Sequence, residues 1–330
     1  MKKQLLIAAV AASMTSVAMA DVSITGGAKF NYTNVDSTTD SSDSNALSHD
    51  VDFTIAGKSG DTTVSATFAT TSKTSTATDT TTATSGTSSS SVGEITTNAN
   101  SGGLKTENVY LTTKIGDFNV KTGSYASGDS NLGNGTRADG KISIDTTVAG
   151  VKLQFEDTDA AGNGSSVTMS GEVSGVALSH EIFDTKTDTS ISGSVGGVAI
   201  KYRSIDSDNA NSDKTSLKVS GEMSGVTATY VDVDVDGTGT TTSDDFFGTH
   251  STADINEATG FSLKTAVAGN TLTLKSYDIK QTSTASDDSY TKIVVTRPLA
   301  GATFEATYTD ADMATGADSE TLDLELAVKF

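Results

Sequence analysis

The chain has 330 residues, with 22 Lys and Arg against 42 Asp and Glu, a formal net charge of −20, no Cys, no Trp and a single Pro. So acidic a chain does not hold nucleic acid or an anionic membrane surface by long-range electrostatics, and the lack of Cys excludes disulfide staples, thiolate chemistry and Cys-ligated metals. Beyond the first residues no stretch approaches the ~20 apolar residues of a spanning helix, which leaves either a soluble protein or one that crosses a bilayer as strands.

Residues 1–20 read as a secretory signal peptide: Lys2 and Lys3 form the positive start, Leu5 to Ala12 the apolar core, and Ala18-Met19-Ala20 a small-residue cleavage site before Asp21. The expected mature domain is 21–330, and loss of the two lysines makes it still more acidic.

The mature chain opens on an alternating segment in which Val22, Ile24, Gly26, Ala28, Phe30 and Tyr32 share one face and Thr25 and Lys29 the other. Short glycine turns then recur at Ser59-Gly60, Ile115-Gly116, Ala149-Gly150, Ser174-Gly175, Gly196-Gly197, Ser224-Gly225, Ala268-Gly269 and Ala300-Gly301, each between period-two apolar segments as in a tight hairpin. Between them lie longer polar connections at 36–45, 72–105, 124–139, 157–165, 184–189, 206–214, 236–260, 280–290 and 309–319. Strict alternation of short and long connections has no reason in a sandwich. It fits a transmembrane antiparallel β-barrel with tight periplasmic turns and long external loops. Nine long loops and eight turns predict an all-β fold of 18 strands.

Within this frame, Val151, Leu153 and Phe155 oppose Lys152, Gln154 and Glu156. The thirteenth strand changes apolar phase, from Val226, Ala228 and Tyr230 to Val231, Val233 and Val235, which predicts a bulge or a strand end near Tyr230. Phe30, Tyr32, Phe68, Phe155, Phe183, Tyr202, Tyr277 and Tyr308 fall late in outward strands, and Phe261 and Tyr290 early in returning ones, which predicts an aromatic girdle at the external rim. The chain ends on T-L-D-L-E-L-A-V-K-F, with Leu322, Leu324, Leu326, Val328 and Phe330 on the lipid-facing side, a last strand fit to close the sheet on the first.

Water-side positions carry Lys29, Lys121, Lys141, Lys152, Lys201, Arg203, Lys218, Lys264, Lys275 and Lys292, against Asp50, Asp52, Asp145, Glu156, Glu172, Glu222, Glu305, Asp323 and Glu325. Opposed charges across a pore set a transverse field, whereas a wet wall tolerates the same charges without tuning. Much of the negative excess falls in the long loops, for instance Asp36, Asp43, Asp206, Asp213, Asp287 and Asp310, and an acidic mouth enriches cations. Asp232-Val-Asp234-Val-Asp236-Gly237 begins like a calcium loop, but Ser243 stands where a bidentate Glu belongs. His49, His180 and His250 are scattered without a nucleophile elbow, and the Ser/Thr-rich stretch at 72–100 reads as a disordered external loop. No catalytic residue, cofactor or metal site is expected.

The leader, the first strand D-V-S-I-T-G, the N-V-Y-L-T-T-K-I-G-D-F-N-V-K-T-G hairpin at 108–123 and the terminal Phe resemble the general diffusion porins of Gram-negative bacteria. The resemblance implies an outer-membrane channel, passive and open to small hydrophilic solutes, typically a homotrimer surrounded by outer-membrane lipid, whose last strand the barrel-assembly machinery reads. It also implies that the loop 124–139 folds inward as the constriction, bringing Asp129, Arg137 and Asp139 to the pore beside Lys121. The chain departs from the family in having no Arg after Gly123 and no P-E-F-G-G sequence, and in a count of 18 strands where 16 are common. With acidic loops at the mouth, the expectation is a weakly cation-preferring porin; the alternative is a structural or adhesive surface barrel with a plugged lumen.

Overall fold

The computed structural model describes residues 21–38, 43–70, 75–78, 95–97, 104–126, 137–158, 164–208, 212–241, 250–281, 287–314 and 317–330. The expected leader, most of the 72–100 stretch and the middle of the expected constriction loop lie outside them. Among the described residues the regular elements are β1 (Asp21–Ser37), β2 (Ser44–Ser59), β3 (Thr62–Thr70), β4 (Ser75–Thr78), β5 (Ile95–Thr97), β6 (Leu104–Ile115), β7 (Phe118–Ala126), β8 (Arg137–Val148), β9 (Val151–Thr158) and β10 (Ser166–Val173). They continue as β11 (Val176–Phe183), β12 (Lys186–Val195), β13 (Val198–Ser207), β14 (Ser212–Met223), β15 (Val226–Thr241), β16 (His250–Val267), β17 (Asn270–Gln281), β18 (Asp288–Leu299), β19 (Ala302–Asp312) and β20 (Ser319–Lys329).

Neighbours along the wall pair antiparallel, and the short β4 and β5 stand aside. These two form a hairpin on the outer half of β2, from Ser44↔Thr78 to Leu47↔Ser75, while β3 pairs with β6. The remaining 18 strands make a closed barrel. Closure runs from Gly27↔Lys329 to Ser37↔Ser319 between β1 and β20. Gly26 and Phe330 add the last rung by exchanging both backbone hydrogen bonds, at 2.8 and 2.9 Å. No strand edge of the wall is then left open, which is the condition for a sheet to stand in hydrocarbon.

Seven of the eight tight turns are two-residue hairpins of two kinds, and in the eighth, between Leu299 and Ala302, only the second residue, Gly301 (φ 77°), has positive φ. Ala149, Ser174, Ser224, Ala268 and Gly196 have positive φ (51°, 53°, 53°, 49° and 60°), and the glycine after each is also positive, the signature of a type I′ turn. At the first two sites the turn sits one residue later than expected, on Gly60-Asp61 and Gly116-Asp117, because the glycine (φ 58° and 61°) takes the first central position, as in type II′. At the opposite end the connections are shorter than expected. β15 runs to Thr241 and β16 starts at His250, inside the expected loop 236–260, and only two residues separate β11 from β12 within the expected 184–189. Ser/Thr-rich composition reads as loop, yet Thr is β-branched and its alternation continues in the ladder.

Alternation sorts the side chains as expected along most of the wall. Val22, Ile24, Phe30, Tyr32, Leu153, Phe155, Ile200, Tyr202, Phe261, Leu263, Leu322 and Leu326 are exposed on the outer face, with Phe330 65% exposed at the seam. Three expected girdle members do not join them. Tyr277 is buried on the inner face, stacked on its register partner Tyr290 with centroids 4.9 Å apart, and Phe183 is paired with the buried Ser166 on the inner phase. Height in the strand was legible for these residues; phase was misassigned.

Neither the expected bulge nor a strand end falls at Tyr230. β15 stays in continuous register with β14, and with β16 through Asp234; the shift comes between Asp234 and Gly239. Tyr230 points out (45% exposed) and Val231, Val233 and Val235 point in, fully buried with Ile255, Ala258, Tyr277 and Ile279. One regular strand simply exchanges its faces: below Tyr230 the apolar row is outside, and beyond it the outer row becomes Asp232, Asp234 and Asp236 while the inner row turns apolar. The change marks where the wall leaves hydrocarbon for water.

Candidate functional site

The inner wall is where the alternating strands collect their charges. Across β1 and β20, Lys29 Nζ lies 2.7 Å from Glu325 Oε2. Lys141 on β8, only 3% exposed, pairs with Glu156 on β9 at 2.5 Å, and Lys152 lies 3.9 Å from Asp145 on the same two strands. Arg203 on β13 grips Asp188 on β12 in a fork, with Nε at 2.9 and 3.1 Å from the two carboxylate oxygens and an Nη2 contact of 2.5 Å. Asp188 was missed in the sequence because it fell in an expected loop; the run K-T-D-T-S-I-S-G that puts it in phase with Ser190 and Ser192 was the available signal.

Lys121 stands between two rings, 4.2 Å from the centroids of both Tyr110 and Tyr125, with Lys141 5.0 Å from Tyr125. Such cation–π contacts contribute roughly 0.5–2 kcal/mol each, the upper end when dry. Gly123 makes the crossing possible: at φ 140° it admits Tyr110 of β6 so closely that a Cβ would lie 2.6 Å from the Tyr110 Cα. This knot sits at the root of the expected constriction loop. Asp129 lies outside the described residues, and Arg137 and Asp139 occupy the first positions of β8.

The remaining cations cluster. Lys201 faces Lys218 across β13 and β14, and Lys275 faces Lys292 across β17 and β18; Lys264 lies between these pairs on β16. Glu222 points to the same wall near the turn end of β14. Acids gather on the adjoining strands, with Glu305 on β19, Asp323 and Glu325 on β20, and Asp50 and Asp52 on β2. The wall is thereby divided into a basic arc over β13–β18 and an acidic arc over β19, β20, β1 and β2. Charges so divided around one space set a field across it.

Several mouth aspartates have work within the fold. Asp43, Asp213 and Asp318 accept the backbone N–H of Ser37, Ser207 and Met313 at 2.9, 2.8 and 3.0 Å. Asp288, fully buried, accepts from Ala314 N and from Gln281 Nε2. The resemblance of Asp232–Gly237 to a calcium loop fails on geometry. The three aspartates alternate along a straight strand, spaced by two residues, and so do not converge. His49 and His180 are on the outer phase, the first stacked on Phe30 and the second hydrogen-bonded to Thr189 at 2.8 Å.

An up-and-down barrel with an apolar exterior, an aromatic rim and a charged interior is the architecture of a membrane-spanning β-barrel, and the chain has the fold of Gram-negative outer-membrane porins. Among solved structures it is similar to OccK11 (OpdR) of Pseudomonas aeruginosa, at a TM-score of 0.66, 10% identity and 94% coverage of this chain against 96% of that one. OccAB4 of Acinetobacter baumannii superposes at 0.63 with 10% identity, covering 94% and 98%, and a triple mutant of Rhodopseudomonas blastica porin at 0.51 with 11% identity, covering 94% and 100%. No protein-family model matches the sequence, and no curated protein does.

Proposed function

We propose that the protein is an outer-membrane porin, a passive aqueous channel for small hydrophilic solutes and ions. The observation that carries this reading is the closed wall with exposed apolar residues outside and charged pairs inside. Lys29, Lys121, Lys141, Lys152, Glu156, Lys201, Arg203, Lys218 and Glu222 line the pore, and the loop carrying Asp129, Arg137 and Asp139 narrows it. Residues 1–20 are removed on export, the terminal strand addresses the assembly machinery, and the channel is a homotrimer in outer-membrane lipid. The role requires no catalytic residue, cofactor or resident metal.

Selectivity follows from how the charges are spent. Arg203 and Lys29 are neutralised by their partners, and the chain as a whole carries −20. The mouth therefore concentrates cations within a Debye length, ~10 Å at 0.1 M salt, and gives weak cation preference that fades as salt rises. One observation supports the second reading, a plugged surface barrel: part of the inner wall, from Val231 to Ile279, is shut off from solvent. Reversal potentials across a planar bilayer under a salt gradient separate the two. Cation-shifted potentials at low salt support the channel as described, anion preference removes the acidic-mouth argument, and the lack of any conductance supports the plugged barrel.

A further inference from the structure

The acidic arc contains a recess of about 370 Å³ in the inner wall of β18, β19, β20 and β1, lined in part by Asn31, Thr33, Lys292, Glu305, Asp323 and Glu325. Its volume falls within the range of small-molecule pockets, ~300–1,000 Å³. Glu325 is satisfied by Lys29. Asp323 accepts the Thr33 hydroxyl (2.6 Å) and Glu305 that of Thr296 (3.0 Å); among the described residues neither forms an ion pair, and the charge of Lys275 on β17 acts on Glu305 and not on Asp323. Lys292 likewise forms no ion pair among the described residues; its register partner on β17 is another cation, Lys275. The Asn31 amide oxygen is buried and receives no hydrogen bond. A buried acceptor without a donor costs about 1–3 kcal/mol.

The recess therefore presents an ammonium outside any ion pair at one end, Lys292, and a carboxylate outside any ion pair at the other, Asp323. We propose that it is a subsite for a small zwitterion of the α-amino-acid class, whose carboxylate meets Lys292 and whose ammonium donates to Asp323. Register supports the placement: Asp323 lies beside Thr33 on β1 and Thr307 on β19, and Lys292 pairs with Thr309, two strands and two residues away, about 12 Å at the ~4.8 Å strand spacing and ~3.4 Å rise. A flexible lysine and the charge separation of the ligand together span that distance. A simple anion leaves the acids unmatched and faces their repulsion, and a simple cation does the same at Lys292; only a molecule carrying both charges satisfies the whole recess.

This inference deepens the channel reading and rests on it, because solutes reach the recess through an open lumen. Equilibrium dialysis of radiolabelled L-alanine, acetate and ethylamine against the detergent-folded barrel tests it without requiring conduction. Saturable L-alanine binding is expected, at least tenfold tighter than either fragment. It weakens at least tenfold in Lys292→Met and Asp323→Asn, and is unchanged in Lys280→Met on the outer wall, with folding of each variant checked by gel mobility. Lack of L-alanine binding, or binding by folded Lys292→Met and Asp323→Asn equal to that of the unaltered protein, overturns the proposal. Conductance without binding removes the subsite and leaves the channel, whereas binding without conductance removes the channel and leaves the subsite.

Discussion

A single methyl group on Gly26 tests the seam of the barrel. In Gly26→Ala the new Cβ would lie 2.5 Å from the Asp52 carbonyl oxygen and 2.8 and 2.9 Å from Cε2 and Cζ of Phe330, against the ~3.5–4.0 Å of an optimal carbon contact. The aromatic ring can swing, but the β2 backbone cannot move without disturbing its ladder to β1, and Phe330 is itself fastened to Gly26 by two backbone hydrogen bonds. Overpacking of this kind costs about 1–3 kcal/mol, and a middle value of ~2 kcal/mol lowers the folding equilibrium roughly 30-fold. The urea midpoint of barrel refolded in lipid vesicles, read as the folded band on unheated gels, reports the loss. Removing the ring separates the two clashes: in a Phe330→Ala background only the contact with the immobile Asp52 carbonyl remains, and Gly26→Ala should keep more than half of its cost. An unchanged midpoint in Gly26→Ala, or a cost that vanishes in the Phe330→Ala background, refutes the packing argument.

Replacing Phe330 by Asp should abolish insertion into outer-membrane lipid while Lys329→Ala leaves it intact; equal yields of folded barrel would contradict the assigned phase of β20. Ala268→Asn should raise the urea midpoint by the equivalent of about 0.5–1 kcal/mol, because an L-residue without a local hydrogen bond is disfavoured in the left-handed region (φ 49°) and Asn-Gly suits a type I′ turn; a lowered midpoint counts against it. Lys121→Met removes an ammonium held between two rings and should lower stability by ~1–2 kcal/mol while increasing single-channel current noise, so a quiet channel of full stability would deny the knot its anchoring role. Asp188→Asn releases the Arg203 guanidinium, and reversal potentials at low salt should move toward anions; no movement would show that this part of the wall does not face the ion path.

The number of strands, their direction and the closing partner were legible because each depends on a local signal: a glycine that takes positive φ, or a period of two. What escaped was set by phase and by partners distant in the chain. Tyr277 and Tyr290 sit at girdle height, but a one-residue difference in phase turns them inward, and composition offers no warning of it. Asp188 and β15 beyond Tyr230 were hidden by polar composition, although D-V-D-V-D alternates as cleanly as any strand of the barrel. The charged pairs could be named as wall residues from alternation alone. That Lys141 meets Glu156, or that the Asn31 oxygen goes without a donor, depends on register between strands and is absent from any single segment.

The order of pairing also carries a kinetic consequence. Most rungs join strands that are neighbours in the chain, the hairpins through two-residue turns, so they form with little chain to immobilise. The β1–β20 rungs join residues about 300 positions apart, from Gly27 to Lys329. By the logarithmic law for closing a flexible loop, bringing such ends together from a disordered chain costs ~5 kcal/mol. Once the intervening sheet has curled, the ends already lie side by side and little of that cost remains. Closure is thus the last event in assembly. Until it happens the chain is an open sheet with two bare edges, exposed to mispairing with any other strand it meets.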